Sequence, residues 1–414
     1  MFKELLIYIA TYIGLFVASF YVISLCLDRK KKNPEFVEMG SPKVSIIIPA
    51  YNEEGGIAGT LKSALEIDYP KEKLEIVFVD DGSKDNTYEI ASKFKSERVK
   101  ILKMSKNSGK GAAMNFAIKN SSGEIIVTMD ADNTHVTKDA LKKLVACFDS
   151  PDIVCVAPSM AIYNPKGVLQ RVQQIEYLVG VFLRRAFSSV NAIHITPGAF
   201  SVYRKSFFDE YGGFDENNLT EDMEMSLRVQ YHQKRLINNS EAVVYTVAPN
   251  KFMPLMVQRR RWYAGLLKNL WHYRALFSRK YGIMGVMVLP VAVISVVISI
   301  LLTSVMAVDA IFKLKNEILL WESINFNLLD SFEFNKYIIE RYLFLWFSDP
   351  IMIFFVLLVG LLIGYMVFAK KRVKQHVAVK LSLIFFLMFF SLLFVFWWIV
   401  SLFYVLANKK VVWR

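Results

Sequence analysis

Val44-Ser45-Ile46-Ile47-Ile48-Pro49-Ala50-Tyr51-Asn52-Glu53-Glu54 runs a β-favouring stretch into a proline and then an acidic, polar end. The figure returns at Glu75-Ile76-Val77-Phe78-Val79 before Asp80-Asp81-Gly82-Ser83, and at Ile125-Ile126-Val127-Thr128 before Asp130-Ala131-Asp132. Val99-Lys100-Ile101-Leu102 supplies one more run, and helical patterns fall near 54–67, 86–96, 110–120 and 137–148. Short strands alternating with helices predict an α/β domain of parallel strands joined by right-handed crossovers. The acidic pairs then lie at C-terminal strand ends, where open α/β sheets hold their ligands.

The flanks are of another kind. At 414 residues, 54% apolar and 14% aromatic, the chain is too long for one ordinary domain and too apolar for a purely soluble one. Leu5–Leu27 carries no charge and would measure about 35 Å as a helix, enough to span a bilayer. No small-residue cleavage site follows it, so an uncleaved anchor is expected. Residues 282–308, 350–369 and 381–407 also reach spanning length, giving about four spans, with 309–349 as an extracytoplasmic loop and interfacial helix. Net charge is +13, and its clusters, Arg29-Lys30-Lys31-Lys32 and Lys370-Lys371-Arg372 with Lys374, abut apolar runs. That placement points to membrane lipids as partners and to a cytoplasmic α/β domain, and argues against nucleic acid. Lys409 and Lys410 suit the inner face, so the last apolar segment reads as a span or as re-entrant. Cys26, Cys147 and Cys155 show no metal spacing and are expected as buried, reduced thiols.

Each acidic strand end, taken alone, is also an ordinary capping turn; successive ones in order are not. Tyr51 can lie over a flat base, Glu53 can accept from ribose hydroxyls, and Gly82 permits a tight turn. Asn107-Ser108-Gly109-Lys110-Gly111 offers backbone N–H groups and Lys110 to phosphates, or is a plain helix-start loop. It lacks the spacing of a Walker loop. Asp130 and Asp132, two apart on an extended segment, project to one side and would repel unless Mg²⁺ or Mn²⁺ bridged them to a diphosphate. Thr220-Glu221-Asp222 opens a helical pattern; an acid there is a dipole partner or a general base. Gln258-Arg259-Arg260-Arg261-Trp262 lies in an amphipathic pattern expected at a membrane surface.

Together these motifs resemble the membrane-integrated inverting glycosyltransferases of family 2, which include the cellulose, chitin, hyaluronan and poly-N-acetylglucosamine synthases. The resemblance covers about residues 40–270, and the arrangement of anchor, catalytic domain and later spans is most similar to the poly-N-acetylglucosamine branch. It implies a GT-A (Rossmann-like) nucleotide-sugar fold, with an anchor at 1–28, a cytoplasmic catalytic domain at 40–252, amphipathic interfacial helices at 253–280 and a transmembrane region at 281–414. Pro49, Tyr51, Glu53, Asp80 and Asp81 would then bind the nucleoside of a UDP-sugar. Lys110, Asp130, Gln258 and Arg261 would face the diphosphate, Asp130 and Asp132 the metal. Asp222 would be the base, with Glu221 and Trp262 at the acceptor and Gly198-Ala199-Phe200 and Tyr203-Arg204 in its region. The implied activity is processive polysaccharide synthesis onto a glycan acceptor, with an accessory membrane subunit. The alternatives are transfer of one sugar to a lipid acceptor and, from another class, an inactive membrane scaffold.

Overall fold

The computed structural model describes residues 2–28, 35–37, 39–132, 134–323, 339–341, 343–344, 348, 350–373, 379–407 and 409. Its strands are β1 (Val44–Ala50), β2 (Leu74–Asp80), β3 (Val99–Lys103), β4 (Ile125–Thr128), β5 (His135–Val136), β6 (Ile153–Ile162), β7 (Val202–Arg204) and β8 (Arg235–Thr246). Its helices are α1 (Phe2–Asp28), α2 (Ile57–Leu65), α3 (Thr87–Ser92), α4 (Lys110–Lys119), α5 (Ala140–Val145), α6 (Val168–Ser189), α7 (Lys205–Tyr211), α8 (Glu221–Tyr231), α9 (Phe252–His272), α10 (Leu289–Ser323), α11 (Pro350–Val373), α12 (Val379–Phe385) and α13 (Ser391–Leu406).

One sheet runs in the order β3-β2-β1-β4-β7-β6-β8-β5. β1 pairs in parallel with β2 and β4, and β2 with β3, as the alternating pattern predicts. Ile46 and Ile48 join Ile57, Leu61 and Leu141 under α2 and α5, while Ile47 joins Ala113 and Met114 of α4 on the other face. Burial on both faces explains why these strands read as continuous apolar runs. Past β4, beyond the four runs read from sequence, the sheet is mixed. The chain travels out through β6 and α6 before β7 returns antiparallel between β4 and β6.

Three helices among the described residues are long and apolar enough to cross a membrane, Lys3–Cys26, Met284–Ser323 and Met352–Lys371, against about four expected. The remaining stretch is helical from Val379 to Leu406, with a π-helical turn at Phe386–Phe390 between α12 and α13; among the described residues its Leu392–Leu406 part is a shorter apolar helix. The loop expected from 309 is also corrected, because α10 continues to Ser323 on good helix formers. Asp309, where the apolar run ends, pairs with Lys3 at 2.6 Å. Helix α6 docks the sheet domain on this bundle, with Phe182 stacked on Tyr365 at 3.8 Å and Phe187 edge-on to Tyr21. Cys147 and Cys155 are buried thiols as expected, but Cys26 is exposed on α1. The cluster Arg29–Lys32, Lys374, residues 324–338, Lys410 and the terminal 411–414 lie outside the described residues.

Candidate active site

The acidic ends of β1, β2 and β4 converge along one edge of the sheet because those strands are parallel neighbours. Pro49 is buried inside β1, in register with Val79, so the strand runs two residues past its expected end. Tyr51 and Glu53 follow it, half-buried. Asn52 (φ 54°) turns the chain there, and its backbone N–H donates to Ser83 while its side-chain oxygen accepts from Lys84 N–H. Asp80 is wholly buried; its Oδ1 accepts from Ser83 N–H, and its Oδ2 has no hydrogen-bond partner among the described residues. Asp81 is occupied differently: its two oxygens accept from the Ser108 and Gly109 N–H groups at 2.8 and 2.9 Å, fixing the start of α4. Gly82 (φ 70°) admits that loop, since a Cβ would lie 2.8 Å from Asn107 N.

The loop in turn delivers Lys110. Its ammonium lies 2.8 Å from Asp130 and 2.9 Å from Glu221, and these acids hold its pKa above the ordinary lysine value despite burial. Asp132 has the opposite problem: burial, then the charges of Asp130 and Glu53, push its carboxyl well above the usual range. Glu221 is 3% exposed and committed to Lys110. Asp222 stands beside it at the start of α8. Its Oδ1 accepts from Met223 N–H at 2.8 Å, and its Oδ2 faces Gly198, where a Cβ would come within 3.0 Å of it and 3.3 Å of the Lys110 ammonium. Burial and the Glu221 charge raise the Asp222 carboxyl to about 6, against the pull of Lys110 and Arg261. Thr128 fixes the Gly198 loop by donating to the Gly198 carbonyl at 2.8 Å.

Helix α9 is clamped onto the segment that leads into α8. Asn269 donates to Thr220 Oγ1 at 3.1 Å and accepts from Asn218 at 2.8 Å, while Gly265 leaves no room for a Cβ against the Thr220 side chain. The three adjacent arginines then diverge. Arg261 donates to the Leu219 carbonyl and its charge reaches Asp222. Arg259, 1% exposed, makes a bidentate pair with Glu176 of α6. Arg260 lies over Tyr404 of α13 at 4.4 Å. Gln258 and Trp262 are half-buried on the same helix. Helix α9 packs against α8 and α13 and reaches α6 through the Arg259–Glu176 pair. Sequence reading missed Asn269, Gly265 and Glu176. An asparagine in the mostly apolar second half of α9, and the single acid of α6, were the available signals.

Residues 45–212 match the Glycosyl transferase family 2 profile. The chain is 31% identical over 236 residues to the poly-beta-1,6-N-acetyl-D-glucosamine synthase of Staphylococcus epidermidis, covering 55% of this chain and 56% of that relative. The protein of that name from Staphylococcus aureus is 31% identical over 226 residues, 54% of each. The chain thus spans about half the length of the curated relatives it matches. Among solved structures, the mannosyltransferase PcManGT from Pyrobaculum calidifontis, in complex with GDP-Man and Mn²⁺, superposes with a TM-score of 0.56 at 20% identity, over 78% of this chain and 95% of that one. This last likeness is one of fold. Residues 45–212, whose parallel strands lead into the acids at 80, 81, 130 and 132, are thus similar to glycosyl transferase family 2.

Proposed function

We propose that the chain transfers a sugar with inversion from a UDP-sugar to a growing glycan, as a processive polysaccharide synthase of the cytoplasmic membrane face. The observation that carries this is Asp222, a carboxylate with one oxygen tied to its own helix and the other turned toward the Lys110–Asp130 cluster. Inversion by single displacement needs one base for the acceptor hydroxyl and positive charge for the departing diphosphate. Asp222 suits the first task and Arg261, with Gln258 a turn earlier, the second. The orphan Oδ2 of Asp80 fits a nucleoside donor group, with Pro49, Tyr51, Glu53 and Asp81 framing it. Glu221 and Trp262 border the acceptor side in this reading. N-acetylglucosamine is the first donor sugar to test, in keeping with the names of the 31%-identical relatives.

Asp130 and Asp132 fit a divalent cation. They offer hard oxygen donors, and the repulsion that lifts Asp132 would be relieved by added positive charge. Among the described residues no group of three or more His, Cys, Asp or Glu forms a ready-made cation cage. Mg²⁺ or Mn²⁺ would then draw its other ligands from diphosphate and water, and when bound it would draw charge from the departing phosphate. In this reading residues 40–252 are the cytoplasmic catalytic domain, α1, α10 and α11 anchor it in lipid, and an accessory membrane subunit completes the export path.

Incubating membranes that carry the chain with a panel of labelled UDP-sugars, and sizing the product, tests all of this. Polymer is the expected outcome. A single sugar on lipid would replace the processive reading, and no nucleotide-sugar turnover at all would overturn both.

A further inference from the structure

The pair of Glu176 and Arg259 is not explained by donor chemistry. Arg259 donates through both terminal nitrogens to the two Glu176 oxygens at 2.6 and 2.7 Å, and its buried Nε has no hydrogen-bond partner among the described residues. Its guanidinium lies over the Trp262 indole at 4.5 Å and the Trp397 indole of α13 at 5.3 Å. A bidentate carboxylate fixes the plane of a guanidinium, and a planar cation on an indole fixes the tilt of that ring. Glu176 is itself held by α6, which is stacked against the membrane bundle through Phe182 and Tyr365.

Resting on the function proposed above, we propose that Glu176 and Arg259 are positioning residues for acceptor recognition. Together they set the orientation in which Trp262 meets the acceptor sugar, and they reference that ring to the membrane helices. A buried ion pair adds little stability over well-packed apolar residues of similar size. Its specific product here is the geometry of the indole.

The test uses the full chain in detergent or membranes. Removing one partner strands the other charge and endangers folding, so the main variant is the double replacement Glu176→Met with Arg259→Met, checked by thermal melting. It should fold, keep the KM for UDP-sugar and the acceptor-independent hydrolysis of UDP-sugar within about twofold, and raise the acceptor KM by about threefold to tenfold, the range of a lost cation–π contact. Arg259→Lys keeps the charge but not the plane, and should show the same acceptor defect. In a Trp262→Ala background the double replacement should add nothing further to acceptor KM. An unchanged acceptor KM in the folded double variant, wild-type behaviour of Arg259→Lys, or full additivity with Trp262→Ala would each overturn the inference alone. Wild-type protein that turns over no UDP-sugar would overturn the functional reading and this inference with it.

Discussion

Lys110 Nζ lies 2.9 Å from Glu221 Oε1, joining the first residue of α4 to the first residue of α8. The same ammonium reaches Asp130 at 2.8 Å, so one cation gathers segments separated by more than a hundred residues of chain. With Arg261 beside Asp222, it is a counter-charge for a cluster that holds Glu53, Asp130, Asp132, Glu221 and Asp222.

Lys110→Met should accordingly destabilise the domain. Taking one partner from a largely buried ion pair costs about 3 kcal/mol, read as a lower midpoint in thermal melts. Millimolar Mg²⁺ should recover part of the loss if a cation can enter the acidic cluster. A melt unchanged from wild type would remove Lys110 from this role.

Asp222→Asn should bind UDP nearly as wild type does and lose transfer by about 10²–10⁴, the contribution of a general base. The pH profile carries a second test. A base works deprotonated, and burial with the Glu221 charge raises this carboxyl to about 6. Turnover should therefore fall as pH drops through about 6, whereas an ordinary aspartate would hold its activity to about pH 4. UDP affinity that falls in step with rate in the variant would make Asp222 a structural residue.

Much of this site was legible in the chain because it sits on strand ends. Runs such as Val44–Ile48 announce themselves by composition, and parallel neighbours bring their C-terminal acids together without further information. The antiparallel insertion of β7 was not legible, since Val202–Arg204 is three residues whose direction depends on where α6 sends the chain. The partners of side chains were hidden for a related reason. Three consecutive arginines look alike in sequence, yet a helix rotates them by about 100° per residue, and what each meets depends on α6, α8 and α13. The π-turn at Phe386–Phe390 likewise carries no signal in a run of phenylalanine, leucine and methionine.

Chelation addresses the acidic pair directly. EDTA should abolish transfer, and Mn²⁺ or Mg²⁺ should restore it. Asp132→Asn should weaken UDP binding in the presence of metal and change it little in its absence, because the variant removes a ligand and also relieves the repulsion from Asp130 and Glu53. Full activity in chelator would sink the metal assignment.

Arg261 and Trp262 should separate by the parameter they move. An arginine beside the departing diphosphate acts on the charge that builds in the transition state, so Arg261→Ala should chiefly lower kcat, by about tenfold to a hundredfold for one lost charge-assisted contact. An indole face acts on acceptor binding, so Trp262→Ala should raise acceptor KM or shorten the product. Neighbouring arginines are poorly placed to mask the first effect: Arg259 is committed to Glu176 and Arg260 is stacked on Tyr404. The single replacement is therefore a sufficient test. Processivity makes a further demand on Trp262. If the ring is a platform for a growing chain, its loss should matter more as the acceptor lengthens, measured as acceptor KM across a series of oligosaccharides. A flat response across the series would favour transfer of one sugar to lipid, and unchanged rate and product in both variants would leave α9 a structural helix.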